Sequence, residues 1–306
     1  MTSIQIEQFE KSFGQTTAVN KVSLAIKKGE LFGLIGPDGA GKTTLIRAIC
    51  TLILPDKGKI LVNDLDVTHN VAAVRAILGY MPQRFSLYQD LTVAQNLKFF
   101  ADLFQVPPRE QQERLAELYH FSRLEPFKNR MAGALSGGMK QKLALSCALI
   151  HTPDILVLDE PTFGVDPVSR DEFWQILHTI RKRGTTILVS TAYMDEANQC
   201  DRVALFFDGR IQAMDTPANL RDSFPYPLFE VHAGDLNKAI NFFRTIDTVH
   251  GIQKFGDTLH ISLTELPGAS QWQTWQKECT GQISSWEQTK PSIEDIFLDQ
   301  MESSHE

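Results

Sequence analysis

The feature that most constrains the fold is the segment at residues 36–43, GPDGAGKT, which fits the pattern GxxxxGK[ST]. It follows a short apolar run, Leu31–Ile35, and it precedes a stretch with helical spacing. The order strand, loop, helix is the one that a phosphate-binding loop requires, because the helix N-terminus and the loop N–H groups then face the phosphates. The sequence therefore predicts a nucleotide phosphate site in an α/β domain.

Two side chains of this loop suggest how it holds a nucleotide. Lys42 is expected to reach the β- and γ-phosphates, and the hydroxyl of Thr43 is expected to bind Mg²⁺. A plain glycine-rich turn is the alternative, but the predicted strand before the loop and the predicted helix after it disfavour that reading. The predicted nucleotide contacts are Gly36, Pro37, Asp38, Gly39, Ala40, Gly41, Lys42, Thr43 and Thr44.

A pair of carboxylates follows a second apolar run, residues 154–158, which is typical of a parallel strand buried on both faces. Asp159 is the predicted Mg²⁺ ligand, and Glu160 is free to polarise a water molecule. An isolated Asp-Glu pair could simply cap the next turn. Together with the phosphate loop, however, the pair predicts an enzyme that hydrolyses a nucleoside triphosphate.

Composition limits the classes of partner and the compartment. The formal net charge of -7 argues against non-specific binding to nucleic acid. No apolar run approaches the length of a bilayer span, so we expect a cytosolic chain that, if it works at a membrane, docks on a separate subunit. The cysteines form no CxxC pair and are interpreted as reduced structural thiols; they are Cys50, Cys147, Cys200 and Cys279.

The pattern along the chain predicts two domains. Residues 1–224 alternate strand-like and helical stretches, with helical spacing alone between about residues 92 and 127. Two prolines near residue 225 interrupt the pattern, and residues 225–306 then read as β-α-β-β-α-β, the order of a small ferredoxin-like α+β domain. The polar end, residues 302–306, is expected to be disordered or a linker.

The segment Leu-Ser-Gly-Gly-Met-Lys-Gln at residues 135–141 opens an amphipathic helix ahead of Asp159. Alone it could be merely an N-cap with a flexible turn. In order with the other two motifs it resembles the signature of the ATP-binding cassettes of ABC transporters. The resemblance covers residues 2–224 and implies a P-loop cassette with a mixed sheet core, an antiparallel β subdomain and an inserted helical subdomain at about residues 92–150. It also implies ATP and Mg²⁺ as cofactors.

The resemblance assigns further roles residue by residue. Phe13 matches the aromatic that stacks on adenine, with a core aromatic as the alternative. Gln83 matches the glutamine that links Mg²⁺ and the attacking water to the membrane subunit, with a solvated loop amide as the alternative. Asp166 matches the loop that crosses the interface between two cassettes, although it also fits a helix N-cap. Ser136 and Gly138 would contact the γ-phosphate bound by a partner cassette in a head-to-tail sandwich.

Two residues depart from the family pattern. The family has a histidine where this chain has Ala192, and alanine can neither bind the γ-phosphate nor orient water. Because Glu160 is present, we expect hydrolysis to be slowed rather than lost, and we hypothesise that this weakened site pairs with a complete one, in a domain that once continued from the tail at His305 and Glu306. Asp38 replaces the usual asparagine, and its charge would weaken phosphate binding slightly.

Four segments, residues 139–142, 160–167, 193–197 and 291–298, resemble the ATPases of ABC-2-type exporters of drugs, lipids or polysaccharides. That group implies a transmembrane permease and a second cassette as partners, a place on the cytoplasmic face of the cell membrane, and a regulatory or dimerising C-terminal domain. A regulatory cassette that only binds ATP remains an alternative. So does a soluble ABC ATPase acting on ribosomes or DNA, which the acidic charge and the lack of a long charged linker disfavour.

Overall fold

The computed structural model describes residues 1–84 and 86–303 and divides the chain into two compact units, Met1–Asp215 and Thr216–Glu306. The sequence placed the boundary later, after residue 224. The helix Pro217–Asp222 accounts for the difference, because it packs against the last helix of the second unit, Ile293–Ser303. No described helix is both long enough and apolar enough to cross a membrane.

Strands of the first unit form two sheets. In chain order they are β1 Thr2–Phe13, β2 Thr16–Lys27, β3 Leu31–Ile35, β4 Lys57–Val62, β5 Leu65–Asp66, β6 Leu78–Met81, β7 Ile155–Asp159, β8 Thr186–Thr191, β9 Arg202–Phe207 and β10 Arg210–Asp215. One sheet is antiparallel with the order β2-β1-β4-β5. The other has the order β10-β9-β3-β8-β7-β6 and is parallel except for β10. This mixed core with its antiparallel subdomain confirms the predicted fold class.

The helices of the first unit cover the parallel sheet or pack on one another. They are α1 Lys42–Ile49, α2 Val71–Ile77, α3 Val93–Leu103, α4 Pro108–Ser122, α5 Gly137–Leu149 and α6 Pro167–Lys182. Helix α3 begins at a capping box in which Thr92 and Gln95 bond each other's backbone N–H groups. Its buried face, with Val93 and Leu97, packs with Leu118 of α4 and Leu143 of α5. Residues 92–150 thus form the helical insertion expected from the sequence.

The strands of the parallel core explain why the site lies where it does. Every residue of β3, β7 and β8 is buried. Apolar side chains of this sheet, such as Leu34 and Val157, pack in one cluster with residues of the antiparallel sheet and of α1, so only apolar or paired residues fit there. Parallel pairing joins β6 to β7, β7 to β8 and β8 to β3. The carboxyl ends of these neighbours therefore meet at one edge of the sheet, and the segments that follow them meet there too.

The second unit confirms the predicted ferredoxin-like order. It contains α7 Pro217–Asp222, β11 Leu228–Ala233, α8 Leu236–Phe243, β12 Val249–Phe255, β13 Thr258–Leu263, α9 Ala269–Glu278, β14 Ile283–Thr289 and α10 Ile293–Ser303. The strands lie in the order β12-β13-β11-β14 and are antiparallel. An aromatic cluster that includes Phe243, Trp272 and Trp275 fills its core.

The prediction that the C-terminus is disordered or a linker is wrong at residues 302 and 303, which belong to α10. The helix begins at a reciprocal cap: Ser292 Oγ accepts from Asp295 N at 3.1 Å, and Asp295 Oδ2 accepts from Ser292 N at 2.8 Å. Ile296 and Phe297 are buried and anchor the helix to its unit. The remainder of the predicted tail, residues 304–306 with His305 and Glu306, lies outside the described residues.

A buried ion pair ties α10 to the sheet of the second unit. Asp295 Oδ1 lies 2.8 Å from His260 Nδ1 on β13, and Glu230 lies 3.8 Å from the other ring nitrogen. Burial lowers the pKa of His260, but the hydrogen bond and charge of Asp295, with the charges of Glu230 and Glu294, outweigh it and raise the pKa. Burial raises the pKa of Asp295, but the hydrogen bonds from His260 and Ser292 outweigh that effect and leave the pKa below its usual value.

The stability of the second unit is therefore predicted to depend on pH. The raised pKa of His260 contributes stability that is complete below the unfolded value of about 6.5 and is lost as the pH rises through the folded value. The lowered pKa of Asp295 contributes stability that is lost at the acid end, below about 3.9. Thermal unfolding followed by tryptophan fluorescence measures this unit well, because it holds Trp272, Trp275 and Trp286.

The control for this prediction is a histidine elsewhere. His260→Gln should remove the fall in melting temperature on the alkaline side, whereas His178→Gln, at a half-buried histidine of the first unit, should leave that fall unchanged. An alkaline loss of stability that persists in His260→Gln would show that the ion pair is not its source.

Candidate functional site

The phosphate loop connects β3 to α1 and is shaped by glycine. Gly41, the N-cap of α1, has a φ of 106°, and a Cβ placed there would lie 2.2 Å from the carbonyl oxygen of Ala18. Gly39 also has a positive φ, 78°, but nothing lies within 4 Å of its Cβ position. Asp38 and Gly39 form the exposed tip of the loop, and Gly209 N bonds Ala40 O at 2.9 Å beneath it. Gly41 is therefore required both by its backbone conformation and by this close approach, whereas Gly39 is favoured by its backbone conformation alone.

Lys42 lies almost fully buried within the loop that it follows. Its Nζ donates to Gly36 O at 2.7 Å and to Pro37 O at 2.9 Å. The same ammonium lies 3.2 Å from Glu160 Oε1, across the site. These contacts hold the ammonium group at the centre of the loop, where it could donate a charge-assisted hydrogen bond to a phosphate oxygen.

Asp159, at the end of β7, faces α1. Its Oδ1 accepts from Thr43 Oγ1 at 3.0 Å and from Ser190 Oγ at 2.8 Å. Burial raises the pKa of Asp159, the two hydroxyl donors oppose that rise, and the charge of Glu160 adds to it. The structure thus brings together two of the three predicted Mg²⁺ ligands, Thr43 and Asp159, whereas the third, Gln83, contacts Glu160. Sequence reasoning missed Ser190, whose one signal is a polar residue at the end of a buried strand.

Glu160 lies between the loop lysine and the segment after β6. Its Oε2 accepts from Gln83 Nε2 at 2.7 Å, and Lys42 lies at its other oxygen. The side chain is 4% exposed, and its backbone φ of 49° lies in the left-handed region. Three strand ends therefore converge on one carboxylate; Gln83 is exposed to solvent, and its amide also donates to Glu160.

The residues of this edge fit Mg²⁺ and a nucleotide phosphate. Mg²⁺ prefers oxygen ligands and is commonly held by one or two carboxylates together with substrate phosphates. The Thr43 hydroxyl and the Asp159 carboxylate are such oxygens, 3.0 Å apart. Helix α1 has no side-chain cap at Gly41, so the N–H groups of its first turn point toward the loop without a side-chain acceptor there.

The signature segment lies next to the loop around Asp166 rather than at the phosphate loop of its own chain. Ser136 caps α5 by accepting from Met139 N at 3.3 Å, and Asp166 caps α6 by accepting from Ser169 N at 2.9 Å. A Cβ on Gly138 would lie 2.6 Å from Ser169 Oγ, so only glycine lets the two helix starts approach. Both capping side chains remain exposed, so capping does not exclude a further contact.

Phe13 lies at the end of β1 and is 52% exposed, with Lys11 Nζ 5.6 Å from its ring centroid. The alternative that it is a core aromatic is wrong. An exposed ring beside a cation is available for stacking on a ligand.

The turn after β8 contains Ala192, which is half-buried. Its neighbour Tyr193 lies under the guanidinium of Arg170 at 4.1 Å, and Tyr193 N donates to Thr191 Oγ1 at 3.0 Å. Arg170 also lies 3.7 Å from the buried Glu196. These contacts thus lie on both sides of residue 192, whose own methyl side chain offers no hydrogen bond.

The sequence is similar to ATP-binding proteins of ABC transporters. A family model described as "ABC transporter" matches residues 19–163. The chain is 42% identical over 234 residues to the "Probable multidrug ABC transporter ATP-binding protein YbhF" of Escherichia coli (strain K12), a match to 75% of this chain and 40% of that protein's length. It is 35% identical over 298 residues to the "Nod factor export ATP-binding protein I" of Rhizobium sp. (strain N33), covering 97% and 96% of the two chains.

Solved structures agree with these sequence matches. "Structure of ATP binding subunit of ABC transporter" is similar with a TM-score of 0.67 and 28% identity, over 73% of this chain and 93% of that one. "Dimeric structure of a post-hydrolysis state of the ATP-binding cassette MJ0796 bound to ADP and Pi" gives a TM-score of 0.64 and 26% identity, over 70% and 98%.

The two loop glycines provide a matched test of the loop geometry. Both have a positive φ, so alanine at either costs about 1–2 kcal/mol of backbone strain. Only Gly41→Ala adds a clash with a backbone carbonyl, so its free energy of unfolding should fall by about 1–3 kcal/mol more than that of Gly39→Ala. Denaturant unfolding of both variants measures the difference, and equal losses would contradict the close approach at Ala18.

Proposed function

The chain belongs to the family of ABC transporter ATP-binding subunits, and we propose that it is the ATP-hydrolysing motor of an exporter of the ABC-2 type. The observation that carries the proposal is the position of Glu160. Its carboxylate lies between Lys42 and Gln83, beside the Thr43 and Asp159 pair and at the mouth of the phosphate loop. A buried carboxylate at that place is suited to accept a proton from water.

Each residue of the site has a distinct part in this proposal. Lys42 and the first-turn N–H groups of α1 neutralise phosphate charge, while Thr43 and Asp159 would hold Mg²⁺. When bound, Mg²⁺ stabilises the negative charge that develops on the transferred phosphoryl group. Glu160 takes the proton of the attacking water at a carboxylate oxygen, and Gln83 orients that carboxylate through its amide and would complete the metal site. Positioning and charge therefore supply most of the catalysis.

The remaining loop residues and Phe13 complete the nucleotide site in the proposal. Phe13 stacks on the adenine, which its exposure permits. The backbone around Asp38 and Gly39 follows the phosphates; the full set is Gly36, Pro37, Asp38, Gly39, Ala40, Gly41, Lys42, Thr43 and Thr44.

A second cassette supplies the other half of the ATP site in this proposal. Ser136 and Asp166 are exposed. Gly138 is the second residue of α5, the helix that Ser136 caps, and it is buried. An exposed helix N-terminus of this kind favours an anion presented by a partner molecule. The γ-phosphate would then link the two cassettes, and its hydrolysis would release them. A similar cassette is described as dimeric in its post-hydrolysis state with ADP and phosphate.

The membrane side of the proposal rests on relatives. Curated relatives are named for multidrug transport and Nod factor export, and the segments at residues 193–197 and 291–298 resemble the ABC-2 group. We infer a transmembrane permease as partner, a place on the cytoplasmic face of the cell membrane, and a regulatory or dimerising role for residues 225–306. The cargo would be chosen by the permease.

Ala192 makes a second function credible. With no hydrogen-bonding side chain at the position of the family's histidine, hydrolysis would be slowed. In the limit, the chain would be a cassette that binds ATP and regulates a complete partner. Because Arg170 packs on Tyr193 and Tyr193 N donates to Thr191, we expect a histidine placed between these two neighbours to have a defined position. Substitution can therefore separate the two functions.

The test is steady-state hydrolysis of Mg-ATP by the full chain. Glu160→Gln should lower kcat by about 10²- to 10⁴-fold, as expected on removing a general base, while ATP binding persists. Ala192→His should raise kcat by at least about tenfold by adding one donor at the γ-phosphate. Glu7→Gln, an exposed change of the same kind on β1, is the control for the first variant, and Ala192→Leu controls for side-chain size in the second.

The outcomes distinguish the alternatives. Hydrolysis lost in Glu160→Gln and raised in Ala192→His identifies a slowed motor. ATP binding without hydrolysis in every variant identifies a regulatory cassette. Equal rates for the unchanged chain and Ala192→His would remove the idea of a weakened site.

A further inference from the structure

Ser190 lies at the centre of the site, although none of the motifs includes it. It is the residue of β8 that pairs directly with Asp159 of β7 in the parallel ladder. Its relative exposure is 0%, so neither solvent nor a nucleotide reaches it. Any effect of Ser190 on the reaction must therefore pass through its neighbours.

The single hydroxyl of Ser190 bonds both acidic residues of the site. Its Oγ donates to Asp159 Oδ1 at 2.8 Å and accepts from Glu160 N at 3.1 Å. The Ser190 carbonyl oxygen accepts from the same Glu160 N, also at 3.1 Å. Since a hydroxyl has one proton to donate, the contact with Asp159 uses it fully and fixes which way the group points.

The first contact orients the carboxylate of Asp159. Ser190 and Thr43 donate to the same oxygen, Oδ1, from two sides. A hydrogen bond to a charged group is roughly twice as strong as one between neutral groups. Loss of the serine donor leaves Asp159 held by Thr43 alone, the very hydroxyl expected to bind Mg²⁺.

The second contact holds the backbone of Glu160. A non-glycine residue in the left-handed region carries strain and persists only where its surroundings fix it. Glu160 has a φ of 49°, and its N–H is bonded by both the carbonyl and the hydroxyl of Ser190. This conformation directs the Glu160 side chain to Gln83 and Lys42.

We propose that Ser190 is a positioning residue for ATP hydrolysis, which sets the Mg²⁺-facing carboxylate of Asp159 and the backbone of Glu160 through one hydroxyl. It touches neither nucleotide nor water itself, so it is not a catalytic residue. The inference rests on the proposed function and adds to it a residue that contacts both acids at once.

The test compares Ser190→Ala with a matched control in the full chain. Ser146→Ala removes another buried serine hydroxyl of the same unit, one that donates to a helix carbonyl, Lys142 O at 2.8 Å, away from the acids. Ser190→Thr keeps the hydroxyl, so it should retain the kcat and the Mg²⁺-dependent ATP affinity of the unchanged chain. Ser190→Cys keeps the shape but bonds weakly, and it serves as a second loss variant where Ser190→Ala does not fold.

Two readouts are needed. We expect Ser190→Ala to lower kcat by about ten- to hundredfold, the loss expected from one hydrogen bond to a charged group, and to raise KM for Mg-ATP by about tenfold, because KM follows the dissociation constant when chemistry is slow. ATP binding measured by titration calorimetry in EDTA should be unchanged, whereas the gain in ATP affinity on adding Mg²⁺ should shrink by about tenfold. Ser146→Ala should alter neither quantity.

Each result decides a definite point. Unchanged kcat and unchanged Mg²⁺ dependence in Ser190→Ala and Ser190→Cys would overturn the proposal, as would an equal loss in Ser146→Ala. Failure of Ser190→Thr to recover activity in a folded protein would also contradict it. If the unchanged chain does not hydrolyse ATP, the proposed function fails by itself, and the Mg²⁺-dependent binding still decides whether Ser190 positions Asp159.

Discussion

Parallel pairing of β6, β7, β8 and β3 is the constraint on which the rest of the site depends. Because these strands run in one direction, the segments that follow them emerge at one edge of the sheet. The phosphate loop, Asp159 with Glu160, Gln83 and Ala192 are far apart in sequence and follow four different strands. A change of register in any one pair would move a side chain to the opposite face and separate the acids from the loop.

The second organising fact is the concentration of charge at this edge. Lys42, Asp159 and Glu160 are each nearly fully buried, and burying charges costs free energy that one ion pair repays only in part. Hydroxyl donors from Thr43 and Ser190 share Asp159 Oδ1, and the Gln83 amide donates to the Glu160 oxygen that does not face Lys42. Two adjacent carboxylates with one ammonium leave an excess of negative charge, which a divalent cation would neutralise. The electrostatics of the site thus favour Mg²⁺ together with a phosphate ligand.

How much of this could be predicted from sequence depends on whether the chemistry is local. The phosphate loop is a continuous segment, so its spacing alone predicts roles for Lys42 and Thr43. The apolar runs correctly predict the buried strands β3 and β7. Ser190 was not identified, because a serine at a strand end has no distinctive pattern and only the register of β8 beside β7 places it at the acids. The end of α10 was also missed, since its last residues are polar while buried Ile296 and Phe297, a turn or more earlier, hold the helix.

The central claim is that one edge of the parallel sheet binds Mg-ATP through Lys42, Thr43 and Asp159. A crystal structure of the chain with Mg²⁺ and a non-hydrolysable ATP analogue tests it most directly. The account predicts that the phosphates lie in the loop at residues 36–43 and that the metal ion lies at Thr43 Oγ1, next to the Asp159 carboxylate. A nucleotide bound elsewhere, or a metal ion that contacts neither Thr43 nor Asp159, would contradict it.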